Sequence, residues 1–200
     1  MSQWIAAPVT LAAHNIRLVP LSSAHFSGLH QAAADARIWT YLPTNGLVPA
    51  RLETSLQEAL LQKTKGEQYP FVVLYEPTGQ VLGSTRYLDM QPAHRKLEIG
   101  WTWYIPPVWG SGVNTICKYL LFRYAFETLH TVRVQIKAGD NNLRSRAAIA
   151  KLGAQFEGIL RKERIRENGE IRNTAYYSVT DDEWPAVKTA LEAKLKDIKL

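Results

Sequence analysis

Ile105-Pro106-Pro107-Val108-Trp109-Gly110-Ser111-Gly112-Val113-Asn114-Thr115 is the stretch that organises this chain. Before it, Arg95 to Tyr104 alternates with period two. After it, Val113, Ile116, Cys117, Leu120, Leu121 and Tyr124 recur at helical spacing, predicting an amphipathic helix that ends near Leu129. The segment therefore reads as strand, glycine-punctuated loop and helix start. Glycines let backbone approach a ligand closely, and the unpaired N–H groups of a helix start favour an anion. A phosphate or pyrophosphate is the natural guest. The loop is not a P-loop, because no Gly-Lys-Ser/Thr follows, and Thr115 stands where a dinucleotide fingerprint has its third glycine. Trp109 and Val113 stand where a nucleophile elbow around Ser111 would need glycines.

Working outward, the strand before the loop places Leu97, Ile99, Trp101 and Trp103 on one face, with Glu98, Gly100, Thr102 and Tyr104 on the other. Two earlier strands, Tyr69–Tyr75 and Gln80–Leu88, flank the turn Glu76-Pro77-Thr78-Gly79 and complete a meander. Upstream lie a loosely attached arm (1–15), a short strand from Ile16 to Leu21, a helix from Ser22 or Ser23 to about Ala36, and a helix from Pro49 to Lys63. Downstream, Thr131–Lys137 is a strand, Asn142–Leu152 a helix stopped by Gly153, and Gln155–Arg166 a long strand. An Asn-Gly turn within 167–170 returns the chain through Ile171–Val179, and a helix fills about Asp181–Lys199. The strand–helix–strand unit from 95 to 137 implies one parallel pair in an otherwise antiparallel, mixed sheet.

At 200 residues, with no linker or repeat, residues 1–200 are expected to form a single domain. Lys plus Arg number 24 against 18 Asp plus Glu, a net +6 that favours anionic partners without choosing among them. One cysteine, Cys117, excludes an intrachain disulfide and a cysteine zinc cluster, and its place on the apolar stripe reads as core packing. The five histidines are scattered, so no metal site is expected. No Lys or Arg precedes Arg17, which argues against a signal peptide. The uncharged run Ile99–Cys117 is broken by prolines and glycines, so a membrane partner is not expected. A cytoplasmic protein is the expectation.

Leu97-Glu98-Ile99-Gly100-Trp101, Trp109-Gly110-Ser111-Gly112, Asn142-Leu143-Arg144-Ser145 and Lys151-Leu152-Gly153-Ala154, in this order, resemble the GNAT N-acetyltransferase superfamily. Within it they look like the branch of Rim-type ribosomal-protein Nα-acetyltransferases. The order of elements fits from about Ile16 to Val179. The resemblance implies an α/β fold: a mixed, mostly antiparallel sheet flanked by helices, with a splayed parallel strand pair that holds the cofactor. It implies acetyl-CoA as cosubstrate and direct transfer, in a ternary complex, to a primary amine on a protein N-terminus or a small molecule. The pyrophosphate would sit on Trp109, Gly110, Ser111, Gly112, Val113 and Asn114. The pantetheine would pair with backbone near Trp103, Tyr104 and Ile105 and meet Asn142. Pro107 departs from the basic residue or glutamine that usually opens the loop.

Amide formation needs a neutral amine, and a carboxylate can accept its proton, directly or through water. The resemblance assigns that role to Glu98. It gives Ser145 the protonation of the leaving thiolate, because Ile149 stands where many relatives carry a tyrosine. Backbone N–H groups near Trp101–Tyr104 would polarise the carbonyl. Each residue also has an ordinary reading: Glu98 as a solvated strand charge, Asn142 as a helix cap, Ser145 as a polar helix position, the tryptophans as wall and core. The basic run Arg161, Lys162, Arg164 and Arg166 reads as solvated charge or as contact with an anionic surface. The rival function is a non-catalytic module holding an acyl-CoA or an anionic polymer. Nucleic acid is not expected, since CoA phosphates already account for a basic surplus. A homodimer through the terminal strands or the last helix is compatible with the sequence.

Overall fold

A computed structural model describes residues 4–5, 8–166 and 169–200. The chain runs β1 (Leu11–Ala13), β2 (Ile16–Pro20), α1 (Phe26–Ala32), α2 (Pro49–Lys65), β3 (Tyr69–Tyr75), β4 (Gln80–Gln91) and β5 (Lys96–Tyr104). It continues through α3 (Val113–Arg123), β6 (Arg133–Gly139), α4 (Leu143–Lys151), β7 (Gln155–Ile165), β8 (Ile171–Thr180) and α5 (Trp184–Lys196). The strands form one sheet in the order β1-β2-β3-β4-β5-β6-β8-β7, antiparallel throughout except for the β5–β6 pair.

Two apolar clusters sandwich this sheet. The larger gathers α3, α4 and α5 on one face, and the smaller packs α1, α2, Ile38 and Trp39 on the other. α3 is buried on nearly every side, from Ile116 through Phe122, because α5 covers the side that the sheet does not. Capping sets the limits of α2. Pro49 starts it, and Gly66, in the left-handed region at φ 75°, closes it by donating to the carbonyls of Gln62 and Lys63.

The parallel pair is short. Lys96, Leu97 and Glu98 face Arg133, Val134 and Gln135, and there the pairing ends. Beyond it β5 stays with β4 while β6 stays with β8 as far as Gly139, so the two strands part like a V with Glu98 and Gln135 at its base.

The structure corrects three expectations. The N-terminal arm is tied down, because β1 pairs with β2, Ile5 is buried, and the Val9 N–H donates to the Tyr69 hydroxyl at 2.9 Å. The first helix is shorter than its pattern: a 3-10 turn at Ser23–His25 leads into α1, which stops at Ala32, and Asp35 then caps a separate turn by accepting from Arg37 N–H. The third concerns β5. Between the pairs Arg86–Gly100 and Ser84–Trp103, Thr85 alone faces both Trp101 and Thr102, with Trp101 at φ 50°. This β-bulge shifts the alternation by one residue. Leu97 and Ile99 enter the larger core, but Trp103 enters the smaller one and Tyr104 the larger. Trp103 is thus moved onto the face that carries Glu98. The turn expected at 167–170 falls partly outside the described residues. Its flanks close with Arg166 N–H donating to the Glu170 carbonyl and Gly169 N–H to that of Arg166.

Candidate active site

The parting of β5 and β6 opens a cleft of about 690 Å³, the size of a small-molecule site. Its walls come from β5, β6, β7, β8, α3, α4 and the loop after α1. Past Glu98, the edge of β5 that faces β6 has no strand partner, so its backbone N–H and C=O groups are open to an extended ligand. At the top, Gly110 (φ 81°) and Gly112 (φ 98°) both take the left-handed conformation, and Gly112 caps α3. A Cβ on Gly110 would meet nothing within 4 Å, which leaves the loop open to a guest. The first-turn N–H groups of α3, at Asn114 and Thr115, belong to residues lining the cleft. An extended chain ending in a phosphate fits these features.

The expected residues divide. Glu98, Ser145, Trp103, Tyr104, Trp109, Gly110, Gly112, Asn114 and Asn142 line the cleft; Ile105, Ser111 and Val113 do not. Val113 is buried in the larger core, Ile105 packs against it, and the Ser111 hydroxyl turns back to the Val108 carbonyl at 2.8 Å. Side chains at these three positions support the loop. Asn142 realises its cap reading, accepting from the Ser145 N–H at 3.1 Å, while still facing the cleft. Trp109 donates its indole N–H to the Tyr104 carbonyl at 2.9 Å, and the guanidiniums of Arg144 and Arg37 lie 4.2 and 5.7 Å from its ring centre. It thereby links the loop, α4 and the smaller core.

Glu98 is not a solvated strand charge. It is 6 % exposed, and its Oε2 accepts from Gln135 Nε2 at 3.0 Å and lies 2.8 Å from Lys137 Nζ. Burial pulls the Lys137 ammonium down, but the bond and charge of Glu98 outweigh it and hold Lys137 above its ordinary value. Lys137 also lies 4.8 Å from the centre of the Tyr176 ring. Cys117 is fully buried and its thiol is pushed up to about 12 by that burial, as its core reading requires. Ile149, buried, lines the cleft where a tyrosine was to be looked for.

Lys118 is a residue the sequence pattern missed. It reaches the cleft from α3, 4 % exposed, and donates to Thr102 Oγ1 at 2.7 Å, with the Thr85 hydroxyl a further 2.7 Å from that oxygen. Burial lowers its ammonium to about 8. On an isolated helix it would sit beside the apolar stripe in water; it is buried because α3 is enclosed all round. Arg86 is likewise buried, lowered to about 10 by burial, with Trp101 of the bulge over it at 4.6 Å. Among the described residues, no group of three potential metal ligands converges, and no helix is long and apolar enough to cross a membrane.

Residues 15–155 match the family model described as an acetyltransferase (GNAT) domain. A Bacillus subtilis (strain 168) protein, YdaF, named as a candidate ribosomal N-acetyltransferase, is 34% identical over 116 residues, 58% of this chain and 61% of its own. The chain thus spans less than two thirds of the length of the curated relatives it matches. A crystal structure of a candidate acetyltransferase from T. thermophilus shares 35% identity and superposes with a TM-score of 0.85, covering 95% of this chain and 98% of that one. Another candidate acetyltransferase of known structure shares 36% identity at a TM-score of 0.86, covering 95% of each chain.

Proposed function

Since the chain belongs to the GNAT acetyltransferase family, we propose that it moves an acetyl group from acetyl-CoA to a primary amine, by direct transfer while both are bound. The observation that carries this reading is the V between β5 and β6, opening beneath the amides of the α3 N-terminus with a buried carboxylate at its base. Acetyl-CoA supplies the thioester and a thiolate leaving group. The chain supplies everything else. Gly110, Gly112 and the first turn of α3 hold the pyrophosphate; the open edge of β5 and Asn142 hold the pantetheine. Backbone N–H groups of β5 near the bulge at Trp101 polarise the carbonyl.

Glu98 accepts the amine proton, directly or through water. Its contacts with Lys137 and Gln135 fix its orientation. Ser145 faces the same cleft and donates toward the leaving sulfur, while Lys118, anchored on Thr102, adds positive charge to the floor where negative charge develops. Direct transfer is supported by Cys117: a fully buried thiol held near 12 offers no thiolate to carry the acetyl group. The name of YdaF points to a ribosomal acceptor as one class. The test is release of free thiol from acetyl-CoA with a panel of primary amines, comparing wild type with Glu98→Gln. Amine-dependent release that falls in the variant supports the reading. Binding of acetyl-CoA without release on any amine favours a module that only holds the thioester.

A further inference from the structure

The basic run on β7 is not used by this chemistry. In the sheet, Arg164 is the register partner of Arg172 on β8, and both line the cleft that holds Glu98. Like charges directly opposite on neighbouring strands repel. A third guanidinium joins them: a Cβ on Gly139, at the end of β6, would lie 3.6 Å from Arg172 Nε and 3.8 Å from Arg166 Nη2.

The neighbouring carboxylates are already engaged. Glu163 accepts from the hydroxyls of Thr174 at 2.7 Å and Tyr176 at 2.9 Å, with Arg164 Nε at 3.6 Å. Glu98 serves Lys137 and Gln135. Arg166 meets Glu170 at 3.3 Å. Arg172 Nε is buried and has no hydrogen-bond partner. Burial, then the charges of Arg166 and Arg164, hold the Arg172 guanidinium below its ordinary value despite Glu163 and Glu98 nearby. A forked cation kept at a cleft wall against like charge, with an N–H unpaired, matches an oxyanion that accepts two parallel bonds.

The side of the sheet decides whose oxyanion this is. Arg172, Thr174 and Tyr176 lie two residues apart on β8 and share one face; the last two turn toward Glu163, and Tyr176 also meets Lys137. Arg166 reaches the Thr40 carbonyl in the connection between α1 and α2. The cluster therefore lies on the Glu98 face, whereas α3 and α4, which carry the phosphate loop and Asn142, cover the other face.

Resting on the amine-acetylation reading above, we propose that the acceptor amine also carries an oxyanion, a carboxylate or phosphate, which docks on Arg164 and Arg172. The cationic wall then has a second effect. It disfavours the ammonium form of the acceptor and raises the fraction of neutral amine that can attack.

The experiment measures kcat/KM at saturating acetyl-CoA for matched acceptors that differ only in charge. The pairs are an α-amino acid and its amide, an aminoalkyl phosphate and the amino alcohol, and a peptide with glutamate or glutamine at its second residue. Wild type should favour the charged member of at least one pair by about tenfold or more, the worth of one charge-assisted hydrogen bond. Which pair responds identifies the source of the oxyanion. Arg172→Gln should erase that ratio and Arg172→Lys restore part of it. Arg164→Gln should reduce the ratio while holding or raising the melting temperature, because it relieves repulsion. Equal turnover of charged and neutral members overturns the inference and leaves acetyl transfer standing. So does a variant that weakens acetyl-CoA binding with the ratio intact, or an Arg164→Gln that melts lower with the ratio intact. No thiol release with any acceptor removes the acetylation reading, and this inference with it.

Discussion

Lys137 Nζ lies 2.8 Å from Glu98 Oε2, joining β6 to β5 at the point where the two strands stop pairing. The pair sits at the base of the V and braces the fork.

Replacing Lys137 by Met should leave buried Glu98 without its cation and slow amine-dependent thiol release. Stability should drop by about 3 kcal/mol, the usual cost of breaking a buried pair. Lys137 titrates above 10.5 in the folded protein, so its stabilisation is fully present below 10.5 and is lost as pH rises through the folded value. A thiol-release assay at pH 7 and urea titrations at pH 7 and pH 11 check both parts.

Lys118 should behave in the opposite way. Its folded value of about 8 lies below the ordinary 10.5, so its burial costs stability wherever both states carry the charge. Lys118→Met should be more stable than wild type at pH 7 by roughly 1–3 kcal/mol, with slower acetyl transfer. That advantage should shrink between pH 8 and 10, because the folded wild type sheds its proton there before the unfolded chain does. Urea titrations at pH 7 and 9.5 measure it. A less stable variant at pH 7 would contradict the charge assignment.

Gly83 and Gly110 should separate packing from opening. A Cβ on Gly83 would lie 2.0 Å from the Trp103 carbonyl oxygen, a backbone atom of the neighbouring strand that cannot swing aside. Gly83→Ala should cost about 3 kcal/mol or more and disturb the β4–β5 pairing that shapes the cleft. Gly110→Ala meets no neighbour and carries only its left-handed conformation, about 1–2 kcal/mol. Thermal melts distinguish them, and Gly110→Ala should show the larger change in acetyl-CoA affinity relative to its loss of stability.

These residues also mark where the sequence was readable. The loop between β5 and α3, the cap at Asn142 and the single parallel pair follow from local signals: glycines, an Asn before an apolar run, a helix between two strands. The bulge at Trp101 was invisible, because alternation before it and after it is intact and only the phase changes. That phase decides which face Trp103 takes. Lys137, Arg172 and Lys118 carry no local signal for another reason. Their significance lies in partners distant along the chain or in the enclosure of α3, neither of which periodicity encodes. β1 escaped because three residues are too few to show alternation.

The most direct test is a single assay: free thiol released from acetyl-CoA, with the acetylated amine identified by mass spectrometry, for wild type and Glu98→Gln across pH 6–9. Direct transfer with Glu98 as base predicts amine-dependent release matched by acetylated amine, and a fall of about 10²–10⁴ in the variant. Acetyl-CoA bound with no thiol released on any amine would contradict the proposed reaction, and an unchanged variant rate across that range would remove Glu98 as its base.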